Sequence, residues 1–330
     1  MKIKSLGNTS LQVSEIGLGT AALGRPAYIT LGHGSDLNFD YTPEAMKTQA
    51  QQMMDLAYRS GIRYFDTARS YGKGELFLAE WVKRQPYTDL CVGSKWGYTY
   101  VADWKIDVEA HEVKDHSLEN LLRQWEISKE NFGDQLNLYQ VHSATLESGI
   151  LENTEVHQAL FELKKNHGIL LGLSLSGPQQ GEVLARAMEV KSVSGAPLFD
   201  VVQATWNIYE QSAGVQLQRA HQAGMGIIIK EVFANGRLTD KDLKPLRGKG
   251  SPLVAIAEKY RVGIDVLAMA VVLAQPWADV ALSGAITEDQ LKSNLQASSL
   301  ELTAEELECC LALAENPEDY WQFRKSLRWN

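Results

Sequence analysis

The segment Ser60-Gly61-Ile62-Arg63-Tyr64-Phe65-Asp66-Thr67-Ala68-Arg69-Ser70-Tyr71-Gly72 lies between two stretches of helical period. Before it, residues 44–59 put Met46, Ala50, Met53, Met54, Ala57 and Tyr58 on one face at spacings of three and four. Ser60-Gly61 is a helix stop. After it, residues 75–84 carry Leu76, Leu78, Ala79 and Val82 in the same rhythm. Between the two, residues 64–66 form a short, β-rich apolar run that ends in a carboxylate. Helix, strand, loop and helix therefore follow one another within about forty residues.

The same unit recurs along the chain. Apolar runs are read at 15–18, 64–66, 90–94, 137–142, 169–175, 201–204, 226–230 and 280–283, which makes eight. Helical stretches at 44–59, 75–84, 117–127, 153–165, 178–191, 210–223, 253–261, 264–275 and 288–297 separate or follow them. The pair 253–261 and 264–275 breaks near Val262-Gly263, and 303–314 opens on the capping box Thr303-Ala304-Glu305-Glu306. Alternation of this kind implies parallel strands with right-handed crossovers. Eight units predict a closed (β/α)8 barrel, an α/β TIM fold, with a doubly wound open sheet as its competitor. Residues 2–15 turn at Gly7-Asn8 and read as a short N-terminal β-hairpin, and a helix and tail follow the last strand. No linker or change of composition divides the chain, so residues 1–330 are expected to form one barrel domain.

Composition narrows the function classes. Lys plus Arg is 32 and Asp plus Glu is 41, a net charge of −9 that opposes non-specific nucleic-acid binding. Cys91, Cys309 and Cys310 make no disulfide framework and no metal spacing, which points to a reducing, cytoplasmic setting. Residues 1–10 carry charge without an apolar run and do not read as a signal peptide. The most apolar stretch, 266–274, is far shorter than the ~20 residues of a membrane span. The expected partner is a small molecule, bound by a monomer or small homo-oligomer, with no nucleic acid and no membrane.

Gly17-Leu18-Gly19-Thr20-Ala21-Ala22 nearly satisfies a dinucleotide fingerprint, but Gly24, Pro26, Gly32 and Gly34 follow where a helix is required. It reads as a backbone-lined loop. Gly72-Lys73-Gly74 and Arg247-Gly248-Lys249-Gly250-Ser251 do not match a phosphate loop and read as solvated turns. No clustered His/Cys spacing signals a metal.

The strand ends carry the chemistry. The second run ends in Asp66, the third in Lys95 and the fourth in His142, and Tyr71 lies five residues beyond Asp66. In a (β/α)8 barrel these ends share one face, where active sites form. A lysine buried there needs an acidic partner.

These residues resemble the catalytic pattern of the aldo-keto reductase family. The resemblance extends over almost the whole chain through Gly19-Thr20, Gly172-Leu173-Ser174, Gln203, and Gly284 with Gln290 and Asn294. It implies a (β/α)8 barrel that binds NADP(H), more rarely NAD(H), in extended form and reduces aldehydes or ketones to alcohols or runs the reverse. It also implies a tetrad of Asp66, Tyr71, Lys95 and His142. Tyr71 would exchange the proton, Lys95 would lower its pKa, Asp66 would keep Lys95 charged, and His142 would bond the carbonyl oxygen.

The implied cofactor residues are Gly19, Thr20, Ser174, Gln203, Lys230, Gly284, Gln290 and Asn294. Leu175 stands where the family has an asparagine for the carboxamide, with Ser176 close by. At the seventh strand end the family's stacking aromatic is replaced by Lys230, which either reaches the cofactor or pairs with Glu231. For a 2′-phosphate the sequence offers Thr287, Gln290 and Lys292, beside Glu288 and Asp289. Trp96, Tyr98, Tyr100 and Trp104 predict an aromatic, largely uncharged mouth, and residues 25–42 a lid. A second reading is a cofactor-binding regulatory subunit resembling potassium-channel β-subunits. A third is an unrelated barrel lyase with Lys95 as a Schiff base.

Overall fold

The structure is a computed structural model that describes residues 1–242 and 252–330. The turn read at 247–251 lies outside the described residues. Strands run in chain order β1 Ile3–Ser5, β2 Gln12–Ser14, β3 Ile16–Gly19, β4 Tyr64–Asp66, β5 Cys91–Trp96, β6 Tyr98–Tyr100, β7 Glu112–Lys114, β8 Leu138–Ala144, β9 Leu170–Leu175, β10 Val201–Thr205, β11 Gly226–Lys230 and β12 Val280–Ser283. Eight of them close a barrel in the order β3-β4-β5-β8-β9-β10-β11-β12 and back to β3. Every barrel pairing is parallel. The eight apolar runs are these eight strands, so the fold is the (β/α)8 barrel and not the open sheet.

Two apolar clusters hold it. The larger lies between strands and surrounding helices, where the periodic faces predicted from sequence are buried, as Met46, Ala50, Met53, Met54 and Ala57 of the helix Pro43–Arg59 show. The smaller fills the amino-terminal end of the barrel. There the β1–β2 hairpin packs Leu6 and Val13 against Tyr64, Cys91, Leu138, Val201, Ile228 and Val280. The hairpin turns through Gly7 at φ 54, where a Cβ would come within 2.4 Å of the Gly226 nitrogen. Only glycine allows both that φ and that approach.

Three local differences from the sequence reading have physical causes. The helix expected from 210 starts later, at Gly214–Gln222, because Asn207 Oδ1 accepts from the Tyr209 and Glu210 amides at 3.0 Å and holds a turn there. The third loop folds into an antiparallel β6–β7 hairpin that no periodicity announced. The tail forms a second terminal helix, Pro317–Ser326, with Pro317 at its first turn and Asn316 as its cap.

Candidate active site

At the carboxyl ends of the strands, β4, β5 and β8 deliver Asp66, Lys95 and His142, which are 2%, 0% and 8% exposed. Lys95 Nζ donates to Asp66 Oδ2 and, at 2.9 Å, to the Thr67 carbonyl. It lies 3.4 Å from the Tyr71 hydroxyl. Tyr71 reaches it because the chain turns tightly after Asp66, with the Tyr71 amide bonded to the Ala68 carbonyl at 3.1 Å. The Tyr71 ring meets the His142 imidazole edge-on at 5.4 Å. Ser70 Oγ is 3.4 Å from His142 Nδ1. All four predicted tetrad positions are thus brought together, and Asp66, Tyr71 and His142 line one cavity of about 230 Å³.

Asp66 is held on its other oxygen. Gln203 Nε2 donates to Oδ1 at 2.9 Å and the Tyr64 hydroxyl at 3.1 Å. The charges respond to burial and to one another. Burial pushes the Tyr71 phenol well above its usual range and the Asp66 carboxylate adds to this, while Arg25 opposes it. Burial lowers Lys95, and Asp66 opposes that. Burial, with the positive charges of Lys95 and Arg25, holds His142 well below the usual imidazole range, so it is neutral.

The remaining predicted residues divide into those that face the cavities and those that stand behind them. Gly19, Gln203, Lys230 and Gly284 line the cavity around Tyr71. Gly284, Gln290 and Asn294 line a second one of about 450 Å³. The two cavities adjoin, sharing Ala22, Thr30, Phe233, Gly236 and Gly284, and together are termed the trough. Thr20 is fully buried and donates through its amide (2.8 Å) and hydroxyl (3.1 Å) to the Asp66 carbonyl. Ser174 is also fully buried and accepts from the Ser143 amide at 2.8 Å. Leu175 is in the core, and Ser143 and Ser176, 3.1 Å apart, face the cavity in its place.

Lys230 donates to Thr205 Oγ1 at 2.7 Å and lies 3.8 Å from Glu231. Burial lowers its pKa to about 8 against the opposing pull of Glu231. Lys292 bonds Glu288 at 2.9 Å on an exposed surface and lines neither cavity. Thr287 caps the helix Glu288–Leu295. Among the described residues, the lysine that does line the second cavity is Lys241, paired with Asp36, which also accepts from Gln290 at 2.8 Å.

The expected uncharged aromatic mouth is not what the residues build. Trp96 is fully buried, whereas Arg25, Glu112, Lys230, Glu231 and Arg324 line the cavity with Trp329 of the tail. Sequence reading missed Arg25, Glu112, Arg324 and Asp36 because no strand end or period marks them. Residues 28–31, which line the cavities, are tied to Asn235: its carbonyl accepts from the Leu31 amide at 3.1 Å and its side chain donates to the Ile29 carbonyl at 2.8 Å. Asn330 donates to the Thr30 carbonyl at 2.8 Å. Among the described residues, no helix is long and apolar enough to cross a membrane.

A barrel with this trough and this strand-end cluster defines a class, and comparison with known proteins agrees with it. The family model described as Aldo/keto reductase family matches residues 15–315. The chain belongs to the aldo/keto reductase family, whose members are oxidoreductases that use a nicotinamide cofactor. It is 24% identical to the uncharacterized oxidoreductase YqkF of Bacillus subtilis, over 93% of this chain and 94% of that one. It is 23% identical to the NADH-specific methylglyoxal reductase of Escherichia coli, covering 92% and 95%, and 23% identical to the pyridoxal 4-dehydrogenase of Microbacterium luteolum, covering 88% and 91%. The holo form of aldo-keto reductase AKR11C1 from Bacillus halodurans superposes with a TM-score of 0.72 at 25% identity, covering 96% of this chain and 97% of that one.

Proposed function

We propose that the protein reduces an aldehyde or ketone to an alcohol, or runs the reverse, with Tyr71 exchanging the proton. The observation that carries this reading is the Tyr71 hydroxyl 3.4 Å from Lys95 Nζ, opening on a cavity that His142 also lines. The two cavities adjoin through shared lining residues, a layout that fits a dinucleotide in extended form, and at Gly284 an added Cβ would meet no atom within 4 Å, leaving room for a ligand against the backbone. Gly19, Gln203, Lys230, Ser143 and Ser176 would hold its nicotinamide half, and Gln290 and Asn294 its adenosine half. When bound, the nicotinamide supplies or accepts the hydride.

The protein's own groups handle the proton. In reduction Tyr71 donates it to the carbonyl oxygen, and Lys95⁺ stabilises the phenolate left behind. Asp66 keeps Lys95 protonated despite its burial. In the tautomer whose Nδ1 accepts from Ser70 Oγ, 3.4 Å away, neutral His142 carries its proton on Nε2 and offers it to the carbonyl oxygen. In oxidation the phenolate accepts the alcohol proton.

The charged cavity lining favours a polar substrate, such as a hydroxylated or sugar-like aldehyde. The aldehyde named for the methylglyoxal-reducing relative supports that direction. Among the described residues, Asp36, Asp240, Asp265 and Asp289 line the adenosine end against Lys241 alone. That balance opposes a 2′-phosphate and favours NADH over the NADPH implied by family habit. The test is a panel of polar and apolar aldehydes and ketones assayed with each cofactor, using wild type and Tyr71→Phe. Turnover that survives in Tyr71→Phe sinks the assignment. Cofactor binding without turnover of any carbonyl transfers the weight to a regulatory subunit.

A further inference from the structure

Arg25, outside the tetrad, is almost completely buried at the mouth of the cavity. Its guanidinium carbon lies 5.1 Å from the centre of the Tyr71 ring, 4.7 Å from that of Trp329 and 5.5 Å from that of Tyr28. One nitrogen, Nη1, donates both to the Ser70 carbonyl at 3.1 Å and to Glu112 Oε2 at 2.9 Å. The backbone packs as tightly. The Lys73 amide bonds the Gly24 carbonyl at 2.7 Å, and a Cβ on Gly24 would stand 2.3 Å from the Tyr71 carbonyl. The first loop is thus fastened to the segment that carries Tyr71, with a cation over the ring and a carboxylate behind the cation.

We propose that Arg25 and Glu112 are an opposed pair of positioning residues for Tyr71: Arg25 stabilises its phenolate, and Glu112 limits that effect. The inference rests on Tyr71 being the proton-exchanging group. It follows from distance and burial. A cation held over a phenol ring in a water-poor site favours the charged form, and a carboxylate beside that cation offsets it. Within the tetrad the Asp66 carboxylate paired with Lys95 offsets part of that lysine's pull on the phenolate, so a second cation beside the ring adds to it. Arg25 is the cation that lowers the phenol's pKa, whereas Asp66, Glu112 and Glu231 raise it. The other titratable or charged groups that line the cavity with Tyr71 are His142 from β8, Lys230 from the end of β11, Tyr28 from the first loop, and Arg324 of the terminal helix, which is paired with Glu231. His142 is neutral, and Lys230 is within 3.8 Å of Glu231.

The pair makes a prediction of sign that a merely structural contact does not. In the oxidative direction kcat/KM rises with pH as the Tyr71 phenolate forms. Arg25→Met should move that rise to higher pH by about one unit, with about a tenfold loss of rate below it. Glu112→Gln should move it to lower pH. Arg25→Lys, which keeps the charge and loses the two-way bond, should leave the rise near its wild-type position while lowering thermal stability. Both substitutions moving the rise in the same direction, or neither moving it, overturns the proposal. Glu112→Gln keeps the test open if Arg25→Met fails to fold, since the Glu112 side chain is 21% exposed and its loss leaves Arg25 bonded to Ser70. Turnover persisting in Tyr71→Phe would remove the reading beneath the proposal, whereas an inactive Tyr71→Phe with unmoved pH profiles in the other variants defeats the proposal alone.

Discussion

Lys95 is fully enclosed, and its ammonium group bonds the Asp66 carboxylate while lying 3.4 Å from the Tyr71 hydroxyl. Under the proposed function, one cation therefore serves a structural pair and a chemical one. Burial drives its pKa down and Asp66 opposes that fall. Asp66→Asn removes the support, so Lys95 loses its proton at lower pH. The alkaline limb of kcat/KM for reduction should move down and the active range should narrow. Breaking the pair should also cost about 3 kcal/mol or more in stability, because an unpartnered buried charge remains. A pH–rate profile and a denaturant titration read the two effects separately, and an unchanged profile would show that the pair does not govern Tyr71.

His142 carries the opposite expectation. Its pKa lies well below 6.5 through burial and the nearby cations, so it does not gain charge on going from neutral to mildly acid solution. The reductive rate should show no break near pH 6.5. A break there that vanishes in His142→Gln would mean that the imidazole titrates and that its role is not that of a neutral donor.

Glu231 and Arg324 fasten the terminal helix to the end of β11, with Arg324 Nε to the two Glu231 oxygens at 3.0 and 2.8 Å. Burial raises the Glu231 pKa, but Arg324 and Lys230 outweigh it and hold the carboxyl at about 2, against 4.5 for a free glutamate. A folded-state pKa below the unfolded one stabilises the fold above the unfolded value, and that contribution fades as pH falls toward the folded one. The difference amounts to roughly 3 kcal/mol. Stability should therefore drop between about pH 4.5 and pH 2. Arg324→Gln should release the tail, exposing Trp329 to solvent and to quenchers of its fluorescence. Trp329 remaining shielded in that variant would show that the ion pair does not hold the tail.

Much of this architecture is legible in the chain, and the limit is a physical one. Asp66, Lys95 and His142 can be found because each closes an apolar run, and parallel barrel strands gather their carboxyl ends on one face. Arg25 and Glu112 meet across 87 residues, from two loops without period or cap, so no local rule joins them. The same holds for Asp36 and Gln290, 254 residues apart. Lys292 misleads for a different reason. It is at i+4 from Glu288 on a helix, and that local pairing turns it outward. The charged mouth was hidden because the aromatic residues after Lys95 go into the wall and the β6–β7 hairpin, leaving the cavity to side chains from distant loops.

Asp36 tests the cofactor choice. It brings negative charge to the cavity proposed to hold the adenosine half and engages Lys241 and Gln290. Asp36→Ala frees both and removes one carboxylate. Binding of NADPH should improve relative to NADH by about tenfold, as expected when a like charge within a few ångströms is removed. Fluorescence titration of the two cofactors gives the ratio directly. A ratio equal to that of wild type would mean that selection lies elsewhere.

The strap over the trough bears on how fast a bound dinucleotide leaves. Residues 28–31, of which Tyr28, Ile29 and Thr30 line the first cavity and Thr30 and Leu31 the second, are tied to Asn235 and to Asn330. If the proposed dinucleotide runs against these residues, its release should require those bonds to open. Asn235 adopts φ 57, which asparagine tolerates and glycine accommodates freely, so Asn235→Gly removes the side-chain bond without straining the backbone. Losing one such hydrogen bond is worth about 1 kcal/mol, and the release rate should rise about fivefold. If release limits turnover, kcat should rise with it while the tetrad is untouched. Stopped-flow displacement of bound cofactor measures the rate, and release no faster than wild type would mean that the dinucleotide escapes without opening the strap.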